Sequence, residues 1–204
     1  MKRFVIGVLL ALLACGPVVA DERDPATIIS DTTRHILDQL DAKREEFRAN
    51  PELLRAVVKE DLLPLLDLEY SARLILGRAG RGISPEQLGA FSDAMSSVLV
   101  NRYADGLLEF KSDEQVEVLP MKGKNTEKLT RVRTRLKLPS GSYAPVDYAF
   151  RKTDAGWKAF DVTVEGISYV LTFRNQISPR VEADGIDKVT ADIVAGNVKL
   201  NEEE

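Results

Sequence analysis

The sequence predicts an α+β fold in which helices precede and follow an antiparallel sheet, and three observations carry it. Apolar residues recur at helical spacing from residue 24 to about residue 110. Between residues 113 and 164 the pattern changes to alternation, broken by short turns. From residue 168 to about residue 197 the helical period returns. A helix buries one stripe and a half-covered sheet buries one face, so helices laid over one sheet face satisfy both.

The first twenty residues stand outside this fold. Lys2 and Arg3 form a basic start, Phe4 to Leu13 is apolar except for Gly7, and Val18-Val19-Ala20 offers small or modest residues for cleavage. This is the pattern of a secretory signal peptide over residues 1–20, and the apolar run is too short to span a bilayer. Cleavage after Ala20 removes Lys2, Arg3 and Cys15, the chain's only cysteine. One domain, residues 21–204, is left, and its formal charge moves from −4 to −6. Leu12-Leu13-Ala14-Cys15 resembles a lipoprotein box. The Leu two residues before the Cys fits that box poorly, and the apolar run continues past it, so a plain exported form is expected.

Asp24-Pro25 supplies an N-cap and a first-turn proline for a helix carrying Ile29, Ile36, Leu40 and Phe47 to about Asn50. Asn50-Pro51 repeats the signal, and Pro64 ends or kinks that helix near Leu63. A short helix is expected from Asp67 to Leu76, stopped by Gly77. Ser84-Pro85-Glu86-Gln87 is a capping-box start for a long helix reaching roughly Phe110. Gln115 to Leu119 reads as a short strand. Leu129 to Leu138, Val146 to Arg151 and Trp157 to Val164 read as three long ones, joined as a meander. Ser168 caps a helix to about Val181, Gly185 breaks it, and Ile186, Val189 and Ile193 mark one more.

Composition narrows the chemistry. Lys plus Arg number 28 against 32 Asp plus Glu, which argues against a nucleic-acid partner. One histidine and one cysteine leave little for His-based catalysis or a metal site; His35 reads as a surface residue. Gly77, Gly80 and Gly82 lack the preceding strand and lysine of a phosphate-binding loop. Asp161 and Glu165 stand open as an acid/base pair or as solvated, capping carboxylates. Arg131, Arg133, Arg135 and Lys137 form a basic row opposite Val132, Thr134 and Leu136. The row is either the solvated face of the sheet or a docking patch for an acidic partner or anionic membrane.

At several places the chain resembles the MlaC, or toluene-tolerance, family. The residues are Leu62-Leu63-Pro64, Glu69-Tyr70-Ser71-Ala72, Leu74-Ile75-Leu76-Gly77 and Ser84-Pro85-Glu86-Gln87. Trp157 to Val162, Glu165 to Ser168, Tyr169 through Gln176, and Gly185-Ile186-Asp187 continue the match in order. The resemblance implies an NTF2-like curved sheet covered by helices. It further implies a periplasmic monomer that carries a phospholipid by its acyl chains, needing no cofactor. Its partners would be an inner-membrane ABC-type complex and an outer-membrane lipoprotein complex. An NTF2-like enzyme with an apolar substrate, or a chaperone-like interaction module, are the rival readings.

An apolar cavity is therefore expected inside. Val132, Leu136, Val146, Tyr148, Phe150, Phe160 and Val162 alternate with charged or small residues and form its strand face. Leu63, Leu66 and Leu74 should close one side, and Leu99, Tyr103, Leu107, Tyr169 and Phe173 another. The leader reading has its own measurement. Intact mass of the exported product should correspond to a chain starting at Asp21 with no acyl adduct; a diacylated Cys15 would overturn it.

Overall fold

The computed structural model describes residues 23–109, 116–120, 125–138, 140–198 and 200. The leader, Cys15 and Phe110 lie outside the described residues. Helix α1 spans Pro25–Ala49 and bends at Lys43 (φ −128°, ψ 16°). Asp24 caps it, accepting from the N–H groups of Ala26 and Thr27. Hydrogen bonds from the Thr27 hydroxyl and backbone hold the Asp24 carboxyl below its usual range. Helix α2, Pro51–Val57, runs into a π turn (Val58–Leu62) and then a 3₁₀ turn (Leu63–Leu65). Pro64 has no N–H to continue the ladder, and by Leu66 the backbone is extended.

That exit brings the chain onto the sheet. Leu66 bridges Ala159 in parallel, and the Asp67 N–H donates to the Ala159 carbonyl at 2.8 Å. Asp67 then caps α3, Leu68–Leu76, by accepting from the Tyr70 N–H. It also pairs with Arg151 of the sheet, whose guanidinium lies 4.4 Å over the Tyr70 ring. Helix α4 runs from Pro85 to Tyr103 with the full capping box at Ser84 and Gln87. It stops short of the expected Phe110. Asp105 and Gly106 are poor helix formers, and the chain tightens there into a 3₁₀ turn, Asp105–Glu109.

Among the described residues five strands follow in the order β1-β2-β3-β4-β5, all antiparallel neighbours. They are β1 Val116–Val118, β2 Leu129–Lys137, β3 Tyr143–Thr153, β4 Gly156–Val164 and β5 Ile167–Ser168. The meander of three long strands thus gains a short strand at each end. One irregularity interrupts it: Ala149 faces Asp161, but Phe150 faces Ala159, leaving Phe160 as an extra residue in β4. Such a bulge bends its strand and re-aims the side chains beside it. Ser168 accepts from the Leu171 N–H and starts α5, Tyr169–Asp184. Gly185, at φ +81°, ends it and turns the chain into α6, Ile186–Val194.

The buried residues form three separate clusters rather than one core. Helices α3 to α6 enclose the first, around Leu76, Leu88, Phe91 and Ile177. The second joins α1, α2 and the end of α4 through Leu40, Phe47, Leu54 and Val100. The third pins the start of α1 to the sheet through Ile28, Ile29, Val132, Phe150 and Ala159.

Candidate functional site

Members of all three clusters line one cavity of about 620 Å³. Native cores rarely leave voids much larger than a water molecule, so this volume is a feature of the fold and not a packing defect. Among the sheet residues, Leu136, Val146, Tyr148, Phe150, Phe160 and Val162 line it. Leu63 and Leu66 contribute from the turn after α2, Leu99 and Leu107 from α4 and the turn beyond, and Tyr169 and Phe173 from α5.

Two expected lining residues lie elsewhere. Val132 is 1% exposed and is sealed inside the wall, packed with Ile28, Ile29 and Phe150. Leu74 packs against the α3–α6 cluster, because α3 presents Leu68, Ser71 and Ile75 to the cavity instead. The Tyr103 side chain lies outside the described residues.

The first half of α1 is a wall that sequence reasoning missed. Ile28, Ile29, Thr32, Thr33, Ile36, Leu37 and Leu40 all line the cavity. The signal was a run of doublets at 28–29, 32–33 and 36–37. A doublet every four residues gives a helix a face twice the usual width. The β4 bulge was a second miss. It lets the consecutive residues Phe160, Asp161 and Val162 all border the cavity, which strict alternation forbids. The Phe160 ring meets Tyr70 edge-on at 5.1 Å.

Most polar groups on the lining are satisfied by the protein itself. Ser71 donates to the Phe160 carbonyl, Thr134 to that of Val146 and Ser96 to that of Asp93. Asp161 accepts from the Ser168 hydroxyl at 2.6 Å and the Val170 N–H at 3.1 Å, fastening the start of α5 to β4. Glu165 lies apart at the exposed β4–β5 turn with φ +51°. The two carboxylates therefore do not assemble into an acid/base pair. Burial pushes the Tyr148 phenol up from its ordinary pKa.

The remaining candidates fall outside the cavity. His35 meets Asp61 and Gln39 on the surface, joining α1 to the π turn. No cluster of three metal-ligating side chains occurs among the described residues, and no helix there is long and apolar enough to cross a membrane. The basic row lies on the opposite sheet face, partly neutralised. Arg131 pairs with Asp147 at 3.7 Å, and Arg135 pairs with Glu117 at 2.6 Å beneath the Tyr143 ring. Arg133 and Lys137 make no ion pair among the described residues.

A helix-covered meander around one large apolar chamber, with no assembled catalytic group among the described residues, defines a class of small-ligand container rather than a packed scaffold. The chain belongs to the MlaC protein family, whose model matches residues 30–195. It is 28% identical over 194 residues to the toluene tolerance protein ttg2D of Pseudomonas putida, covering 93% of this chain and 89% of that one. It is 24% identical over 165 residues to the intermembrane phospholipid transport system binding protein MlaC of Haemophilus influenzae, covering 79% and 76%. The fold matches a phospholipid-binding protein from Ralstonia solanacearum, solved in complex with a phospholipid. The TM-score is 0.73 at 20% identity, over 84% of this chain and 99% of that one.

Two substitutions separate lining from wall. Val162→Glu places a carboxylate where the cavity can hydrate it. Circular dichroism should be retained, and recovery of any apolar occupant by mass spectrometry should fall about tenfold or more. Val132→Glu buries the same charge in a sealed wall, at a cost of several kcal/mol, and should unfold the protein. A folded Val162→Glu protein with full occupancy would remove that position from the site.

Proposed function

We propose that this chain is a phospholipid carrier that holds its cargo by the acyl chains inside the cavity. The observation that supports it is the cavity itself. A chamber of about 620 Å³ lined by apolar side chains forgoes the packing contacts that a close-packed core would make, and an apolar occupant would restore them. An apolar lining selects an apolar one. Two acyl chains carry on the order of 30 methylene groups, and removing them from water is worth roughly 25 kcal/mol at ~0.8 each. A carrier must offer a comparably dry site, so that handover between membrane and protein is nearly neutral in free energy. The name of the Haemophilus relative and the ligand of the Ralstonia structure agree with this assignment.

The same reading places the protein in the periplasm after removal of residues 1–20. There it acts as a monomeric domain, residues 21–204, between an inner-membrane ABC-type complex and an outer-membrane lipoprotein complex, helping to maintain outer-membrane lipid asymmetry. No cofactor and no catalytic step are invoked. The basic row is the proposed docking surface, with Arg133 and Lys137 its effective charges because Arg131 and Arg135 are already paired.

Solvent extraction and mass spectrometry of the mature protein test the carrier reading. About one phospholipid per chain is expected; a protein that neither retains nor takes up phospholipid is not a carrier. The docking reading is separate. Arg133→Glu with Lys137→Glu should leave bound lipid unchanged and weaken cosedimentation with anionic vesicles or capture by a partner complex. Unaltered binding to both would take the row out of the mechanism.

A further inference from the structure

Polar groups on an apolar lining are costly unless they are paired, and nearly all those described above are paired with backbone. Tyr148 and Ser92 are the exceptions that matter. Both line the cavity. Ser92 is 5% exposed, and its hydroxyl makes no hydrogen bond among the described residues, whereas Ser96, one turn further along α4, is tied to the Asp93 carbonyl. The Tyr148 phenol likewise has no hydrogen-bond partner among the described residues. Tyr148 lies in the middle of the sheet, between Val132 on β2 and Val162 on β4, so the part of it left uncovered faces the cavity. A phenol holds its proton at neutral pH, so the Tyr148 hydroxyl is a standing donor, and burial pushes its pKa further in the same direction. The α4 wall and the sheet wall thus each present one unused hydroxyl to largely apolar space, while Thr32 and Thr33 border the same space from α1.

The cargo proposed above brings a matching need. Each acyl chain of a diacyl lipid begins at an ester, whose carbonyl loses its water when the chain enters a dry cavity and gains nothing from leucine or valine side chains. Resting on the carrier reading, we propose that the Tyr148 and Ser92 hydroxyls donate hydrogen bonds to the ester carbonyls of a bound diacyl lipid. They thereby fix how deep the cargo sits and make the cavity selective for ester-linked lipids. The ligand chemistry is the ester carbonyl, so a dialkyl ether lipid of the same headgroup and chain length lacks the recognised group and keeps everything else.

The test is a competition. Mature protein stripped of lipid is offered equal amounts of dipalmitoyl phosphatidylglycerol and its dihexadecyl ether analogue, and bound lipids are quantified by mass spectrometry. The wild-type protein should take the ester form in about 25-fold excess, about fivefold for each of the two neutral hydrogen bonds. Tyr148→Phe and Ser92→Ala should each lower the ratio to about fivefold. A residue that only shapes the wall would change total uptake without changing this ratio. Equal uptake of both lipids by the wild type, or an ester preference undiminished in both Tyr148→Phe and Ser92→Ala, would overturn the proposal while leaving the carrier reading intact. Uptake of neither lipid would overturn the carrier reading and this proposal with it. Ser92→Ala keeps the experiment decisive should Tyr148→Phe fail to fold.

Discussion

Everything in this molecule depends on three apolar clusters being held apart. Left to itself, buried hydrocarbon collapses to close packing. Here the sheet, the α3–α6 layer and the α1–α2 arm each complete a small core of their own, and the space between them stays open. The separation is enforced by polar fasteners at the seams. Asp67 links α3, Arg151 of the sheet and the Ala159 carbonyl, and Asp161 links the sheet to α5. Each fastener is a short charged or backbone hydrogen bond with fixed geometry, which a slipping hydrophobic contact cannot provide.

The fasteners also account for the carboxylates that stand beside an apolar chamber. Asp161 spends its oxygens on Ser168 and on the Val170 N–H, and Asp67 on the Tyr70 N–H and Arg151. A general base needs a lone pair aimed at a substrate proton. These are aimed at the frame, and what remains unspent on the lining among the described residues is a few hydroxyls, those of Tyr148, Ser92, Thr32 and Thr33.

The fold was legible in the sequence wherever the signal was local. The helical period of α4, the capping box at Ser84 and Gln87 and the alternation in β2 all depend on neighbours within a turn or a strand, and they fell where expected. The site was legible to the extent that it follows alternation: Leu136, Val146, Tyr148 and Val162 face inward as read. It became illegible where two elements must be aligned first. Val132 alternates correctly, but only the packing of α1 on the sheet seals it away from the cavity. The pairing of Arg131 with Asp147 and Arg135 with Glu117 needs the strand register, which no single strand contains. The bulge at Phe160 changes register within β4, and nothing in its sequence marks the position.

The tether at Leu66 and Asp67 has one more consequence. A row of unpaired amides along a sheet margin is a template on which a second molecule can assemble. Strand β4 would carry such a margin, yet β5 pairs with Thr163 and Val164, and the tether occupies Ala159. Lys158 reaches across to the Pro64 carbonyl. At the opposite margin the described part of β1, Val116–Val118, lies against α1. A carrier of the proposed kind would expose apolar lining each time it empties and refills. Among the described residues the β4 margin is covered and β1 is short, which leaves little ladder for fibrillar self-association at those moments.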